Sequence, residues 1–352
     1  IPLISSQNIP DISFMEVESL FVYDHKSQTL KFILSEENKV NDSAYENFSW
    51  EIKRIWKDVH RVLDKNHLSP ETNDEKLSPP SPLKPFPSKN DYMQKVDQAK
   101  AYIYEGDIYQ ANISQKFEIP FDKNPLVLYQ NLRTINPSPF SGYLKFDDLS
   151  LVSSSPERLI KVTGDKIESR PIAGTRPRSD VAEKDEALTT ELLLNDKERA
   201  EHLMLVDLER NDLGRLCKAG TVKVTDFMLL EKYSHVSHIV SNISGCLLPK
   251  QSVLEIFKAI FPGGTITGCP KIRCMEIINE LEPVQRGPYS GSFGYIGYAP
   301  YMDLNIIIRS IIINNGNASF HVGAGIVADS VPEKEYQETL DKAAAMVKAL
   351  EY

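Results

Sequence analysis

Apolar and polar positions alternate with a period of two over residues 16–34, where Val22 and Tyr23, then Leu30, Phe32 and Leu34, flank a polar stretch at 24–28. That pattern predicts a two-stranded hairpin. Over 44–66 the period becomes helical, with Trp50, Ile52, Ile55, Trp56, Val59 and Val62 sharing a face. Residues 67–90 then lose all periodicity and carry six prolines among Ser, Lys and Asp, the composition of a linker or exposed loop. From 91 onward strands and helices mix densely to the end. Helices are expected over 92–105, 187–207, 254–259, 271–282 and 332–350. Strands are expected over 110–117, 141–146, 151–154, 159–162, 221–230, 238–245, 291–298, 305–313 and 318–327. Runs of strands separated by single helices, without regular βαβ alternation, predict a mixed α/β fold of the α+β type with largely antiparallel sheets. The main domain is placed at 88–352, and 1–87 reads as the C-terminal part of a segment that begins upstream, ending in the linker.

Composition narrows the class. A chain of 352 residues, 41% apolar and 25% charged, can bury a sizeable core and leads one to expect about two domains. The net charge of −9 argues against a nucleic-acid partner held by phosphate contacts. No run approaches the roughly 18 to 20 apolar residues of a membrane span, since Arg309 and Ser310 break the longest one. Four cysteines without a C-x-x-C spacing read as reduced thiols, and with no secretion signal the expected location is cytoplasmic.

Three kinds of chemistry stand out. Glu198 and Glu201, and again Glu335 and Glu338, are three apart on expected helices and so share a face. Any single pair of this kind is ordinarily a solvated charged face. Two pairs pointed at each other would make an all-oxygen cage suited to Mg²⁺. Glycine-rich turns occur at 171–178, 261–271 and 323–325; none is a P-loop or a dinucleotide fingerprint, and together they suit a ligand with several carboxylates. His235 and His238 open a strand on opposite faces. A histidine beside a carboxylate pocket would titrate in the range for proton transfer. Hydrolase motifs are absent from the sequence.

Six motifs in order, 171–178 (PIAGTRPR), 201–214 (EHLMLVDLERNDLG), 233–241 (YSHVSHIVS), 263–271 (GGTITGCPK), 286–291 (RGPYSG) and 323–330 (GAGIVADS), resemble those of the chorismate-utilising enzymes. These are the large subunits of anthranilate synthase and aminodeoxychorismate synthase, with isochorismate and salicylate synthases as cousins. The resemblance covers about residues 90–352, which makes 88–352 a chorismate-binding catalytic domain of two stacked antiparallel sheets flanked by helices. It implies Mg²⁺ as cofactor, held by Glu201 and Glu338 with Glu198 and Glu335 in support. It implies carboxylate binding by the backbone around Thr265 and at Gly323, Ala324 and Gly325, and a grip on the enolpyruvyl group by Tyr289 and Arg309. Gly174, Thr175 and Lys271 complete the implied substrate set; His238 matches the proton-transfer residue, and His235 is left as structural.

The same resemblance bears on the reaction. Water-using cousins carry a Lys where this chain has Gln110, and an amide cannot act as the base that activates water. Ammonia is then the implied nucleophile, and the chain lacks a glutaminase nucleophile of its own, so a glutamine amidotransferase subunit is the implied partner alongside chorismate. Some aminodeoxychorismate synthases carry a covalent Lys where this chain has Ala173, as anthranilate synthases do. Against that, 109–112 (YQAN), 137–142 (PSPFSG) and 263–268 (GGTITG) look like the aminodeoxychorismate branch. Three motifs against one favour aminodeoxychorismate synthase, with anthranilate synthase as the alternative. An isochorismate or salicylate synthase and a non-catalytic chorismate-binding subunit rank below both.

Overall fold

A computed structural model describes residues 9–34, 49–50, 53–54, 57, 84–233, 236–298 and 301–351. The chain divides into two compact units, Pro10–Pro80 and a larger one made of Ile1–Ile9 and Ser81–Tyr352. In the smaller unit, β1 (Ser19–Asp24) and β2 (Thr29–Leu34) pair antiparallel from Ser19 opposite Leu34 to Asp24 opposite Thr29. The Asp24 carboxylate accepts from the Lys26 and Ser27 amides at 2.9 and 3.2 Å, closing the turn that the polar stretch predicts. Of the helix expected over 44–66, only Ser49, Trp50, Lys53, Arg54 and Lys57 are described, and they are helical.

The larger unit holds two seven-stranded sheets in which every pairing is antiparallel. The first sheet contains β3 (Lys84–Phe86), β4 (Gln110–Pro120), β5 (Phe140–Phe146), β6 (Leu149–Ser155), β12 (Gly268–Cys269), β15 (Ser310–Asn314) and β16 (Asn317–Ile326). Its order is β12-β4-β16-β15-β6-β5, and β3 shares an edge of β4 with β12, so pairing begins inside the proline-rich stretch. Helices α1 (Lys89–Tyr104), α2 (Pro125–Ile135), α6 (Lys271–Leu281) and α7 (Pro332–Glu351) cover this sheet. Tyr92, Val96 and Ala99 of α1 pack with Ile277 and Leu281 of α6 against Ala111, Ile113, Ala324 and Ile326. Leu128 and Leu132 of α2 pack with Ala343 and Met346 of α7 against Phe117, Val152, Ile311 and Phe320.

The second sheet runs β10 (Lys223–Lys232), β11 (Val236–Cys246), β8 (Lys166–Arg170), β7 (Arg158–Thr163), β14 (Tyr301–Asn305) and β13 (Gly294–Ile296), with β9 (Ile172–Pro177) continuing β8 along β11. Helices α3 (Ala182–Leu194), α4 (Asp196–Gly214) and α5 (Val253–Ile260) serve it. Val206 and Leu213 of α4 meet Ile256 and Ile260 of α5 over Leu159, Ile167, Ile243 and Met302. Burying such side chains is worth about 1.5 to 3 kcal/mol each and dominates the cohesion of both layers.

Two expected elements divide. The single helix over 187–207 is two, because Asn195 ends α3 and caps α4, its side-chain oxygen accepting from the Glu198 amide at 3.1 Å. The single strand expected over 305–313 likewise spans two sheets: Asn305 closes β14, residues 306–309 connect the sheets, and only 310–313 are strand, in β15. No helix among the described residues is long and apolar enough to cross a membrane, and the four cysteines are free thiols.

Candidate functional site

The chain passes between the sheets at two neighbouring corners. One joins β6 to β7 and carries Glu157; the other joins β14 to β15 and carries Arg309. The corners are tied together: the Ile306 amide donates to the Glu157 carbonyl at 3.0 Å, and the Ser155 hydroxyl donates to the Ile306 carbonyl at 2.6 Å. Arg309 sits at φ 48°, a left-handed conformation that a non-glycine residue adopts only where its surroundings enforce it. Glu157 is 6% exposed and its Oε1 has no hydrogen-bond partner. Burial pushes its carboxyl up to about 7, against the opposing pull of the Thr265 hydroxyl and of the cations Lys342 and Arg309. Sequence reasoning missed Glu157 and Lys342. The available signal was a lone acid at 157 closing a serine-rich strand (149–155), where ordinary burial would exclude a charge.

His238 faces Thr175 across β11 and β9. Between them Gly174, at φ +65°, is the extra residue of a bulge, because His238 pairs with Thr175 while Ile239 pairs with Ala173. The His238 Nδ1 lies 3.2 Å from the Gly174 carbonyl and 3.0 Å from the Thr175 hydroxyl. A carbonyl only accepts, so this contact assigns the proton to Nδ1 and leaves Nε2 as a lone pair. Burial, reinforced by Arg309, depresses His238 to about 4, so the ring is neutral at physiological pH. Ala173 is buried and brings no functional group.

On the first sheet, β16 outruns β15, which pairs only with residues 317–319. Lys342 of α7 reaches the open side and donates to the Gly323 carbonyl at 2.9 Å. In an extended strand a residue's N–H and C=O point the same way, so the Gly323 and Gly325 amides face that open side too. Neither glycine has room for a side chain. A Cβ on Gly323 would lie 2.4 Å from Asn112 Oδ1 and 2.8 Å from the Tyr289 hydroxyl; on Gly325 it would lie 2.4 Å from Gln110 Nε2 and 3.5 Å from Glu201 Oε1. Gln110 is buried, with Nε2 3.4 Å from Glu201 Oε1. Tyr289 is buried against Asn112, its hydroxyl pushed up by burial, and its ring stacks on His321 at 5.5 Å between centroids. Ala324 turns the other way, into the helix layer. Thr265 lies in the short 3₁₀ turn Gly264–Ile266, whose Ile266 carbonyl accepts from Arg286 at 2.8 Å. The same guanidinium, paired with Glu282 at 2.7 Å, also holds the Asn112 carbonyl at 2.6 Å, so one buried ion pair fixes both walls.

The structure separates some expected partners. Lys271 is engaged within the protein, bridging Asp212 at 2.6 Å and the Ile260 carbonyl at 2.8 Å. Glu198 lies against Gly174 and pairs with Arg176, while Glu338 is exposed and pairs with Lys342 at 2.7 Å. Glu335 is buried. The four glutamates offer only hard oxygen donors, which suits Mg²⁺ in kind, and Gly174 and Gly325 clear space beside Glu198 and Glu201. No three acids, histidines or cysteines among the described residues are yet gathered as a metal group. His235 lies outside the described residues.

Residues 4–348 match the family model described as chorismate binding enzyme. The chain is 44% identical over 342 residues to aminodeoxychorismate synthase component 1 of Bacillus subtilis (strain 168), covering 97% of this chain and 71% of that protein. It is 43% identical to anthranilate synthase component 1 of Acetivibrio thermocellus, covering 97% of this chain and 70% of that one. The crystal structure of anthranilate synthase component I from Streptococcus pneumoniae TIGR4 superposes with a TM-score of 0.78 at 38% identity, over 94% of this chain and 72% of that chain. The bulge at Gly174, the paired glycines of β16 and the two tied corners are thus laid out on a shared fold, and the chain belongs to the family of chorismate binding enzymes.

Proposed function

We propose that the chain aminates chorismate in a Mg²⁺-dependent reaction, using ammonia from a separate glutamine amidotransferase, and that the product is aminodeoxychorismate. The observation that carries the amination reading is Gln110: the side chain beside Glu201 is an amide with no basic lone pair to activate water. The component 1 in the names of the similar synthases supports a second component that supplies the nitrogen. The three branch motifs and the 44% identical relative favour the aminodeoxychorismate product. Ala173 and the similar anthranilate synthases favour anthranilate as the second reading.

Either product requires loss of a ring hydroxyl, and a leaving hydroxyl needs a proton. Glu157, whose carboxyl burial raises to about 7, would supply it. His238, neutral with an Nε2 lone pair, would take a proton from the incoming amine, a role its Nδ1 contact to the Gly174 carbonyl supports. Arg309 and the Gly323 and Gly325 amides would bind carboxylates, and Tyr289 would pack the enolpyruvyl arm. Glu198, Glu201, Glu335 and Glu338 would hold Mg²⁺, whose contribution is to neutralise the ring carboxylate.

Incubation of the full chain with chorismate, Mg²⁺ and ammonium, followed by chromatography, tests the reading. The expected product is a 4-amino compound that yields p-aminobenzoate only after a lyase is added. Fluorescent anthranilate with pyruvate would select the second reading, and isochorismate formed without ammonia would overturn both. Glu201→Gln and Glu338→Gln are expected to lower turnover at least about 10²-fold; full activity in both would remove the metal assignment.

A further inference from the structure

Arg176 sits one residue beyond Thr175 on β9, beside the bulge, and belongs to none of the roles assigned above. Its guanidinium bridges two carboxylates that lie seven positions apart in the sequence. Nη2 donates to Glu191 Oε1 at 2.9 Å and Nε to the other oxygen of the same carboxylate, a bidentate pair. Nη1 donates to Glu198 Oε1 at 3.1 Å and to the Thr175 carbonyl at 2.9 Å. Glu191 ends α3 and Glu198 begins α4, so the Asn195 break is what brings both to one arginine. Asn195 reinforces this, donating to Glu191 at 3.3 Å while it caps the Glu198 amide. Burial differs between the two partners: the Glu191 side chain is 51% exposed, whereas those of Arg176 and Glu198 are each 22% exposed.

The two contacts differ in kind. The outer one is a planar fork, complete without Glu198. The inner one uses a single N–H on Oε1, while Oε2 lies toward Gly174, where a Cβ would approach to 3.0 Å. A guanidinium stays charged at any physiological pH, so it competes permanently with any other cation for Glu198. If it releases Glu198, its charge remains paired with Glu191. That is the arrangement of an exchangeable countercharge.

Resting on the reading that Glu198 helps to hold Mg²⁺, we infer that Arg176 competes with the metal for Glu198 and yields it when the metal binds, with Glu191 as the seat that keeps the guanidinium paired. Arg176 is thus a positioning residue that sets metal affinity without touching substrate. Lys342 pairs with Glu338 at 2.7 Å, so each glutamate pair carries one protein cation.

The two partners of Arg176 make the test directional. Removing the arginine removes the competitor, so Arg176→Gln should bind Mg²⁺ more tightly, by roughly threefold to tenfold for a partly exposed pair. Removing the outer carboxylate leaves the guanidinium to Glu198 alone, so Glu191→Gln should bind Mg²⁺ more weakly, by roughly twofold to fivefold. Isothermal titration of Mg²⁺ into the full-length chain, with and without chorismate, reads both. A scaffolding role would weaken binding in both variants alike, and that outcome overturns the inference. Unchanged affinity in both, against saturable binding by the unsubstituted chain, overturns it while leaving the metal reading intact. If the unsubstituted chain shows no saturable Mg²⁺ binding, the metal reading fails and takes this inference with it. Should Arg176→Gln not fold, Arg176→Met, which removes the competing charge and keeps a side chain of similar length, takes its place with the same expected gain in affinity, and weaker binding in it overturns the inference.

Discussion

Glu157 shows how one carboxyl can be poised by position alone. It lies at a corner between sheets, is buried on all sides and has Arg309 and Lys342 near enough to moderate a proton affinity that burial raises to about 7. Glu209, also buried, is raised well above the usual range, first by burial and then by Glu157 itself. If Glu157 delivers the proton to the leaving hydroxyl, turnover must need its acid form. The rate is expected to fall as pH rises through about 7, and Glu157→Gln should lower kcat by about 10²- to 10⁴-fold and abolish that limb. Steady-state profiles between pH 5.5 and 9 would check both; a surviving limb in the variant would assign it to another group. In sequence the residue is one acid after three serines and a proline, a signal that the polar serines mask. Gln110, Tyr289, Arg309 and the glycines of β16 were legible because their motifs are distinctive in order. Arg176 and Lys342 were not, since each acts on a glutamate distant in sequence or by a partner that only the fold supplies.

Among elements, periodicity located most of the longer strands of the larger unit because buried faces repeat every second residue. It failed where a run of one period hides a change of partner. Residues 305–313 read as one strand because 306–308 and 311–313 are all isoleucine, yet the backbone leaves one sheet at Asn305 and enters the other only at Ser310. Residues 187–207 read as one helix because helix formers continue past Asn195, a residue whose side chain prefers to cap. Strands β8 and β9 were missed for their charged and glycine content, and β9 is irregular by necessity: its bulge aims Thr175 at His238. The break at Asn195 makes a prediction. Asn195→Ala removes the cap of α4 and the contact to Glu191, and is expected to cost about 1 kcal/mol, or roughly 2 to 4 °C in Tm. Asn195→Asp, which retains an accepting oxygen, should keep most of that stability in calorimetry. If the alanine and aspartate variants melt together, the cap is not what separates the two helices.

Over the whole molecule, the two antiparallel sheets bury three histidines that carry no charge at neutral pH. His202 and His238 are depressed to about 4 and His321 to about 3, in each case first by burial. His202 on α4 lies 2.6 Å from the Ser241 hydroxyl, which also accepts from the Met228 amide at 3.0 Å. An unfolded chain would protonate these rings near 6.5, whereas the folded one resists until about 4 or 3. Between those limits the unfolded state binds more protons, so their contribution is complete above about 6.5 and is lost as pH falls. Glu157 acts in the opposite sense: its folded value is raised, so its contribution is complete below 4.5 and is lost as pH rises through about 7. Stability is therefore expected to peak near pH 6 to 7 and to fall on the acid side by up to about 1.4 kcal/mol per pH unit for each buried histidine. Urea midpoints measured from pH 4.5 to 8 would trace this curve. His202→Gln keeps a polar side chain of similar size at the helix–sheet contact but cannot titrate. It should lower stability at pH 7 yet flatten the acid slope by one proton's worth, and an unchanged slope would mean that His202 is protonated in the folded state as readily as in the unfolded one.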